Sequence, residues 1–263
     1  MENKFQEAFK LHKNGSLQEA KKIYEEILEE TPNDFNCLHH LGLIAKNNKE
    51  YQSAFDLLSQ AININPNNAA AHFNLANTLK KLNKISDAIA SYDKAIDIKA
   101  DYELYSLRGL AFYELEKYDE AISSYDESIK LKPDPTAYCN RGLAFVELRK
   151  IKEGIADYDK AIQMDSNFIQ VRHNRALALK ILGKTKECIE AFKAIIKIEP
   201  NHYESLYEIA TLYNVLKEFN LALTYCEQAL KINPNHNPTL LLGIKIRKKT
   251  CDWAFDDQDT SYA

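Results

Sequence analysis

One sequence pattern recurs every 33 or 34 residues along nearly the whole chain, and it restricts the fold more than any other feature. Each copy has a first small residue and, twelve positions later, a second one. The first small residues are Gly42, Ala76, Gly109, Gly142, Ala176 and Ala210. The second are Ala20, Ala54, Ala88, Ala121, Gly154, Cys188 and Ala222. Bulky apolar residues surround them at helical spacings, so we expect each copy to be a helix-turn-helix whose helices cross at the small residues.

This unit resembles the tetratricopeptide repeat family, whose helix-turn-helix repeat is about 34 residues long. The resemblance implies an all-α, right-handed solenoid of seven repeats. The repeats are expected at residues 1–34, 35–68, 69–101, 102–134, 135–168, 169–202 and 203–236. A capping helix is expected at 237–250, followed by an acidic tail at 251–263. The third repeat is one residue short, and we expect the deletion in the turn near Lys99 and Ala100, because loops absorb length changes well.

The composition narrows the partner class. The net charge is −4 with mixed signs along the chain, which disfavours a nucleic-acid surface. The sequence contains no uncharged run of 18 or more apolar residues, so no membrane span is expected. The first residues lack the apolar core of a secretory signal. The five cysteines are an odd number without close pairs, which suits a reducing setting. We therefore expect a cytoplasmic protein without nucleic-acid or membrane partners, and the oligomeric state is left open.

The family resemblance also indicates where a partner would bind. In the family, the first helix of each repeat lines the concave wall of the superhelix. On this basis the candidate peptide-binding residues are His39, His40, Phe73, Asn74, Asn77, Lys80, Asn140, His173, Asn174 and Tyr207. Asparagine amides both donate and accept hydrogen bonds, so they can hold the backbone of an extended peptide. The predicted function is a scaffold that binds a peptide or partner helix in this groove, without a cofactor.

A second interpretation comes from two further likenesses. The spaced asparagines Asn74, Asn140 and Asn174 resemble the asparagine ladder in the repeat arm of the O-linked N-acetylglucosamine transferase family. The segment Cys251-Asp252-Trp253 is similar to one that follows the repeats in that family. The alternative function is therefore the substrate-recognition arm, in a truncated or split form, of such a glycosyltransferase. Equally, the asparagines could be ordinary polar residues of a solvated helix face, and Trp253 could cover the apolar end of the solenoid.

Three other features of the sequence have interpretations that involve no binding site or catalysis. Arg108, Arg141 and Arg175 recur at one repeat position and could form a basic ridge, but we expect their stems to pack and their guanidinium groups to reach a neighbouring acid. The group of Cys37, His39 and His40 lacks a fourth ligand, so zinc is not expected. No phosphate-binding loop, nucleophile elbow or catalytic carboxylate pair is recognisable, so we do not expect an enzyme.

Overall fold

The computed structural model describes residues 2–250, and within that range the chain forms fifteen α-helices and no strand. The helices are α1 (Glu2–Lys13), α2 (Leu17–Glu30), α3 (Phe35–Asn47), α4 (Tyr51–Ile64), α5 (Ala69–Lys81), α6 (Ile85–Ile98), α7 (Tyr102–Glu114), α8 (Tyr118–Leu131), α9 (Pro135–Glu147), α10 (Ile151–Met164), α11 (Ile169–Ile181), α12 (Thr185–Ile198), α13 (Tyr203–Val215), α14 (Phe219–Ile232) and α15 (Asn237–Thr250). The predicted all-α class with repeated helix pairs is confirmed.

The turn inside each helix pair has the same backbone shape. Its second residue has a positive φ in all seven pairs, at Gly15, Lys49, Asn83, Glu116, Arg149, Gly183 and Lys217. Glycine adopts this left-handed conformation without strain, whereas the five other residues carry a side chain there. The repeat therefore fixes the turn geometry more strictly than it fixes the turn sequence.

In most repeats, a side chain caps the N-terminus of the first helix. Asp34, Asn68, Asp101 and Asp134 each accept a hydrogen bond from a backbone N–H two or three residues further on. Such N-caps satisfy backbone donors that the helix itself cannot pair. The turn before α7 and the turn before α9 have three residues, 99–101 and 132–134, whereas those before α3 and α5 have four.

The described residues fall into two compact units, 2–144 and 145–250. In the first unit the crossing residues act as the pattern predicts. A Cβ on Gly109 would lie 2.7 Å from the ring of Tyr125, and a Cβ on Gly42 would lie 2.7 Å from Leu58. Both large residues are fully buried on the second helix of their pair. A small residue on the first helix is therefore what lets these helices approach.

The second unit contains the buried cluster that includes Cys188, Phe192, Ile195 and Ile209. Cys188 is fully buried, and its thiol donates to the carbonyl oxygen of Ala176 over 3.1 Å. At the end of this unit, α15 buries Thr239, Gly243 and Ile246 and packs on α14. None of the helices in residues 2–250 is both long and apolar enough to cross a bilayer. The expected acidic tail, 251–263, lies outside the described residues.

Candidate functional site

Asn74 is occupied by contacts within the first unit. It is only 8% exposed, and its Nδ2 donates to the carbonyl oxygen of Ala70 over 2.8 Å. The same Nδ2 lies 3.2 Å from His39 Nε2, and the Oδ1 accepts from Lys46 Nζ over 2.9 Å. Burial lowers the pKa of Lys46, and burial followed by the Lys46 charge lowers the pKa of His39. Asn74 therefore links α3 to α5, and with His39 Nε2 as the acceptor both of its amide hydrogens are used within the chain.

Asn77 is arranged differently, one helical turn further along α5. It is partly exposed, and its Oδ1 accepts a 2.6 Å hydrogen bond from the Tyr92 hydroxyl. Burial, followed by the nearby Glu114 charge, raises the pKa of Tyr92, so this hydroxyl keeps its proton. The Asn77 Nδ2 has no hydrogen-bond partner within residues 2–250. One end of this amide is held in place and the other is available as a donor.

Lys80 is an internal ion-pair partner. Its Nζ lies 2.8 Å from Glu114 Oε1, and the lysine side chain is only 16% exposed. The pair connects α5 to α7. The cation predicted to face a partner is thus already neutralised by the next repeat.

His40 lies inside a group of rings at the start of the first unit. Its imidazole stacks on Tyr24 with ring centroids 5.6 Å apart, and it also contacts Phe5, Phe9 and His12. Burial, followed by the neighbouring His39 and His12, lowers the pKa of His40 to about 4. Among the described residues its buried Nδ1 has no hydrogen-bond partner. This position favours a packing role over the predicted contact with a peptide.

Two other predicted residues of the first unit keep an open side. Asn140 on α9 is partly exposed, and its amide has no hydrogen-bond partner in the described part of the chain. Phe73 packs against the buried cluster around Tyr92 and also borders a cleft of about 200 Å³. The cleft is lined by Ala69, Ala70, Phe73, Lys99, Asp101, Glu103 and Leu104. Asn140 and Phe73 are therefore accessible to a bound peptide.

In the second unit, the predicted residues contact other side chains of their own unit. His173 packs edge-on against Phe192 and lies 5.4 Å from the ring of His202. Burial, followed by the His202 charge, lowers the pKa of His173. Asn174 Oδ1 accepts from Gln170 Nε2 over 3.1 Å, and Tyr207 packs edge-on against His236. These contacts fix the side chains in place but leave them partly exposed.

The three recurring arginines bind acids, which confirms the plainer prediction. Arg108 Nη1 lies 2.7 Å from Asp93, Arg175 Nε lies 2.6 Å from Asp159, and Arg141 pairs with Asp126. Each pair connects the second helix of one repeat to the first helix of the next. The acids recur every 33 residues, so the same period that identified the arginines could have identified their partners.

No metal centre is recognisable among residues 2–250, where no three His, Cys, Asp or Glu side chains are placed to hold an ion together. Cys37 is fully buried in the first-repeat core with Tyr24, whereas His39 stacks on Phe35 and contacts Asn74. Cys37 and His39, two positions apart in the sequence, therefore pack against different residues.

Comparison with family models identifies repeats along the chain. Residues 109–149 match the model described as TPR repeat, and residues 135–168, 169–202 and 203–236 match models described as tetratricopeptide repeat. Residues 13–95 match the model described as anaphase-promoting complex, cyclosome, subunit 3.

Two curated relatives share short segments. BBSome complex member BBS4 of Xenopus tropicalis is 35% identical over 77 residues, covering 29% of this chain and 15% of that protein. Protein O-mannosyl-transferase TMTC3 of Mus musculus is 28% identical over 82 residues, covering 31% and 9%. The aligned segments thus span less than a sixth of the length of either relative.

Solved structures share the fold at low identity. The C-terminal part of a TPR repeat-containing protein from Cytophaga hutchinsonii has a TM-score of 0.80 and 18% identity, covering 90% of this chain and 98% of that one. A tetratricopeptide repeat protein from Parabacteroides merdae gives 0.65 and 15%, covering 93% and 98%. YrrB, described as a TPR protein with an unusual peptide-binding site, gives 0.58 and 24%, covering 70% and 96%. Together with the repeated helix pairs, these matches show that the chain is a protein of the tetratricopeptide repeat fold.

Proposed function

We propose that this chain is an interaction scaffold that binds an extended peptide or a partner helix along the first helices of its repeats. The observation that carries the proposal is the Asn77 amide. The Tyr92 hydroxyl holds its Oδ1 at 2.6 Å, and its Nδ2 has no partner among residues 2–250. A donor held in place before a partner arrives loses little side-chain entropy on binding. It would suit a backbone carbonyl of a bound peptide.

The candidate binding residues of the first unit have two roles under this proposal. Asn77, Asn140 and Phe73 would contact the partner, since each keeps an open side. His39, Asn74 and Lys80 would hold neighbouring repeats in register, because each makes a polar contact with another repeat. His40 would pack against Tyr24. In the second unit, His173, Asn174 and Tyr207 remain candidate contacts. The fold is typically non-catalytic, which favours binding without chemistry for this chain.

The relatives are compatible with such a role without identifying the partner. BBS4 is named as a member of a complex, and one matching family model describes a subunit of the anaphase-promoting complex. YrrB is described as having a peptide-binding site, and at 24% identity its likeness to this chain concerns the fold. An unbiased screen is therefore needed to identify the partner.

The test is a peptide-array screen with the purified chain, followed by fluorescence anisotropy with the selected peptide. Asn77→Asp keeps an acceptor for the Tyr92 hydroxyl but replaces the amide donor with a carboxylate. We expect the dissociation constant to rise about tenfold or more, because a donor is lost and a carbonyl would then face a negative charge. Asn63→Ala changes an exposed asparagine on the second helix α4 and serves as the control. Unchanged affinity of Asn77→Asp would contradict the proposal.

A second candidate is the substrate-recognition arm of an O-linked N-acetylglucosamine transferase-like enzyme. Its support is the 82-residue similarity to a protein named as an O-mannosyl-transferase, together with the Cys251-Asp252-Trp253 segment, which lies outside the described residues. Transcript sequencing would distinguish the two candidates. A catalytic region encoded downstream in the same transcript would favour the transferase arm, and transcripts that end with this chain would favour the scaffold.

A further inference from the structure

The cleft beside Phe73 combines an apolar floor with a charged rim, and the short turn 99–101 contributes to it. The turn joins α6 to α7, and it brings Lys99 and Asp101 next to the N-terminal end of α5. All residues that line the cleft belong to the first unit. The volume of about 200 Å³ is below the usual size of a small-molecule site. It suits a single large side chain of a bound peptide.

The floor provides one aromatic face held from behind. Phe73 packs against the buried cluster that contains Tyr92 and Leu104, so its ring cannot easily turn away. Ala69 and Ala70, one helical turn earlier on α5, are small and leave the ring accessible from the cleft. A long side chain with an apolar stem could therefore lie across the ring.

The rim carries one net negative charge. Asp101 and Glu103 contribute two carboxylates and Lys99 one ammonium group. Asp101 Oδ1 accepts from the Glu103 backbone N–H over 2.9 Å, and the exposed Glu103 carboxylate has no ion-pair partner within residues 2–250. Lys132 is near Asp101 and Asp134, so counting both Lys132 and Asp134 leaves the sum of the formal charges at minus one. A cationic side chain is therefore favoured over an acidic one.

We infer that this cleft receives an arginine side chain of the bound partner, an inference that rests on the proposed function. Arginine fits better than lysine for two reasons. Its planar guanidinium stacks on an aromatic face, and it can bind a carboxylate through two parallel hydrogen bonds. The stem would lie on Phe73, and the guanidinium would meet Asp101 and Glu103. The opposite possibility, an acidic or phosphorylated residue at the helix N-termini, is weakened because Asn68 and Asp101 already cap α5 and α7.

The experiment uses the full chain, labelled with ¹⁵N, and a set of blocked tripeptides followed by NMR. The probes are acetyl-Gly-X-Gly-amide with X as arginine, lysine, citrulline or glutamate. Citrulline has nearly the shape of arginine but no charge. We expect the arginine probe to shift the amide signals around Ala70, Phe73 and Glu103 in a saturable manner. Citrulline should bind at least fivefold more weakly and lysine about threefold more weakly.

Two variants locate the effect. Asp101→Asn with Glu103→Gln removes both charges while the asparagine still caps α7, and we expect about a tenfold loss of arginine binding. Phe73→Leu keeps an apolar floor but removes the aromatic face, and we expect a loss of about three- to fivefold. Glu120→Gln, in the first turn of α8, is the control and should bind the arginine probe as the unmodified chain does.

Three outcomes would overturn the inference: no shift at these amides, equal affinity for citrulline and arginine, or tighter binding of the glutamate probe. The proposed function fails separately. If a screened peptide still depends on Asn77 while the arginine probe does not bind the cleft, the scaffold proposal stands and this inference is wrong. If the arginine probe binds the cleft but the screened peptide is insensitive to Asn77, the reverse holds.

Discussion

Two junctions in the first unit close the same gap between neighbouring helix pairs with different chemistry. Between the first and second pairs, the ring of His40 stacks on Tyr24 and lies 5.3 Å from the ring of His12. Between the third and fourth pairs, Arg108 binds Asp93 over 2.7 Å, and an equivalent arginine pair follows one repeat later. We call these the ring junction and the arginine junctions.

The difference shows which part of the repeat is invariant. The crossings inside the second and fourth pairs need a small residue opposite a large one, as Gly42 faces Leu58 and Gly109 faces Tyr125. The surface between pairs has no such restriction, so rings or ion pairs can fill it. The consequences differ, because buried neutral imidazoles respond to pH whereas partly exposed ion pairs respond to salt.

The largest expected effect is the loss of the central ring. Tyr24 is fully buried, so Tyr24→Ala should lower the free energy of unfolding by about 3–5 kcal/mol through the cavity it leaves. Urea titration monitored by circular dichroism measures this. A loss below about 1 kcal/mol would mean that the ring junction collapses around the cavity or contributes little.

Acidification should weaken the ring junction next. The folded pKa of His40, about 4, is below the unfolded value of 6.5, so its stabilising contribution is complete above pH 6.5 and is lost as the pH falls toward 4. With a discount for partial exposure, we expect a loss of about 1–2 kcal/mol at pH 5. Residues 85–147, which contain the arginine junctions, have no histidine.

The control for this prediction is His40→Phe, which keeps a stacked ring without a titrating group. Urea titrations at pH 7, 6 and 5 should show a smaller loss for this variant than for the unmodified chain. Equal pH dependence of both proteins would assign the effect to other groups.

A tyrosine-to-phenylalanine series should separate the hydrogen-bonded hydroxyl from the two buried hydroxyls without a partner by about 1 kcal/mol. Tyr92→Phe removes a hydrogen bond to Asn77 and should cost about that much. In Tyr24 and Tyr125, the buried hydroxyl has no partner among the described residues, so Tyr24→Phe and Tyr125→Phe should be neutral or slightly stabilising. Thermal melts of the three variants measure the order, and a Tyr24→Phe variant less stable than Tyr92→Phe would contradict it.

The smallest effect concerns the arginine junctions. A double-mutant cycle of Arg108→Ala and Asp93→Ala should give a coupling of about 0.2–1 kcal/mol, because Asp93 is half exposed. The coupling should decrease in 1 M salt. The absence of measurable coupling would mean that the arginine acts through packing on Tyr105, whose ring centroid is 5.1 Å away, rather than through its charge.

The repeated helix pairs were predictable because the crossing requires small residues such as Gly42 and Gly109 at a fixed period. The contacts of the candidate peptide-binding residues were not predictable. Asn74 and Asn77 are the same residue type on one helix, but Lys46, 28 residues earlier, occupies the first, and Tyr92 orients the second. Lys180 and Glu208 repeat this 28-residue spacing in the second unit. Such pairs between repeats depend on which types coincide, so single-repeat reasoning could not find them.

The proposal that the first helices bind the partner is tested most directly by hydrogen exchange with a peptide from the screen bound. We expect slower amide exchange in α5, and in the neighbouring first helices α7 and α9, with little change in the second helices α4, α6 and α8. Slower exchange confined to α4, α6 and α8, with α5 unchanged, would contradict binding along the first helices.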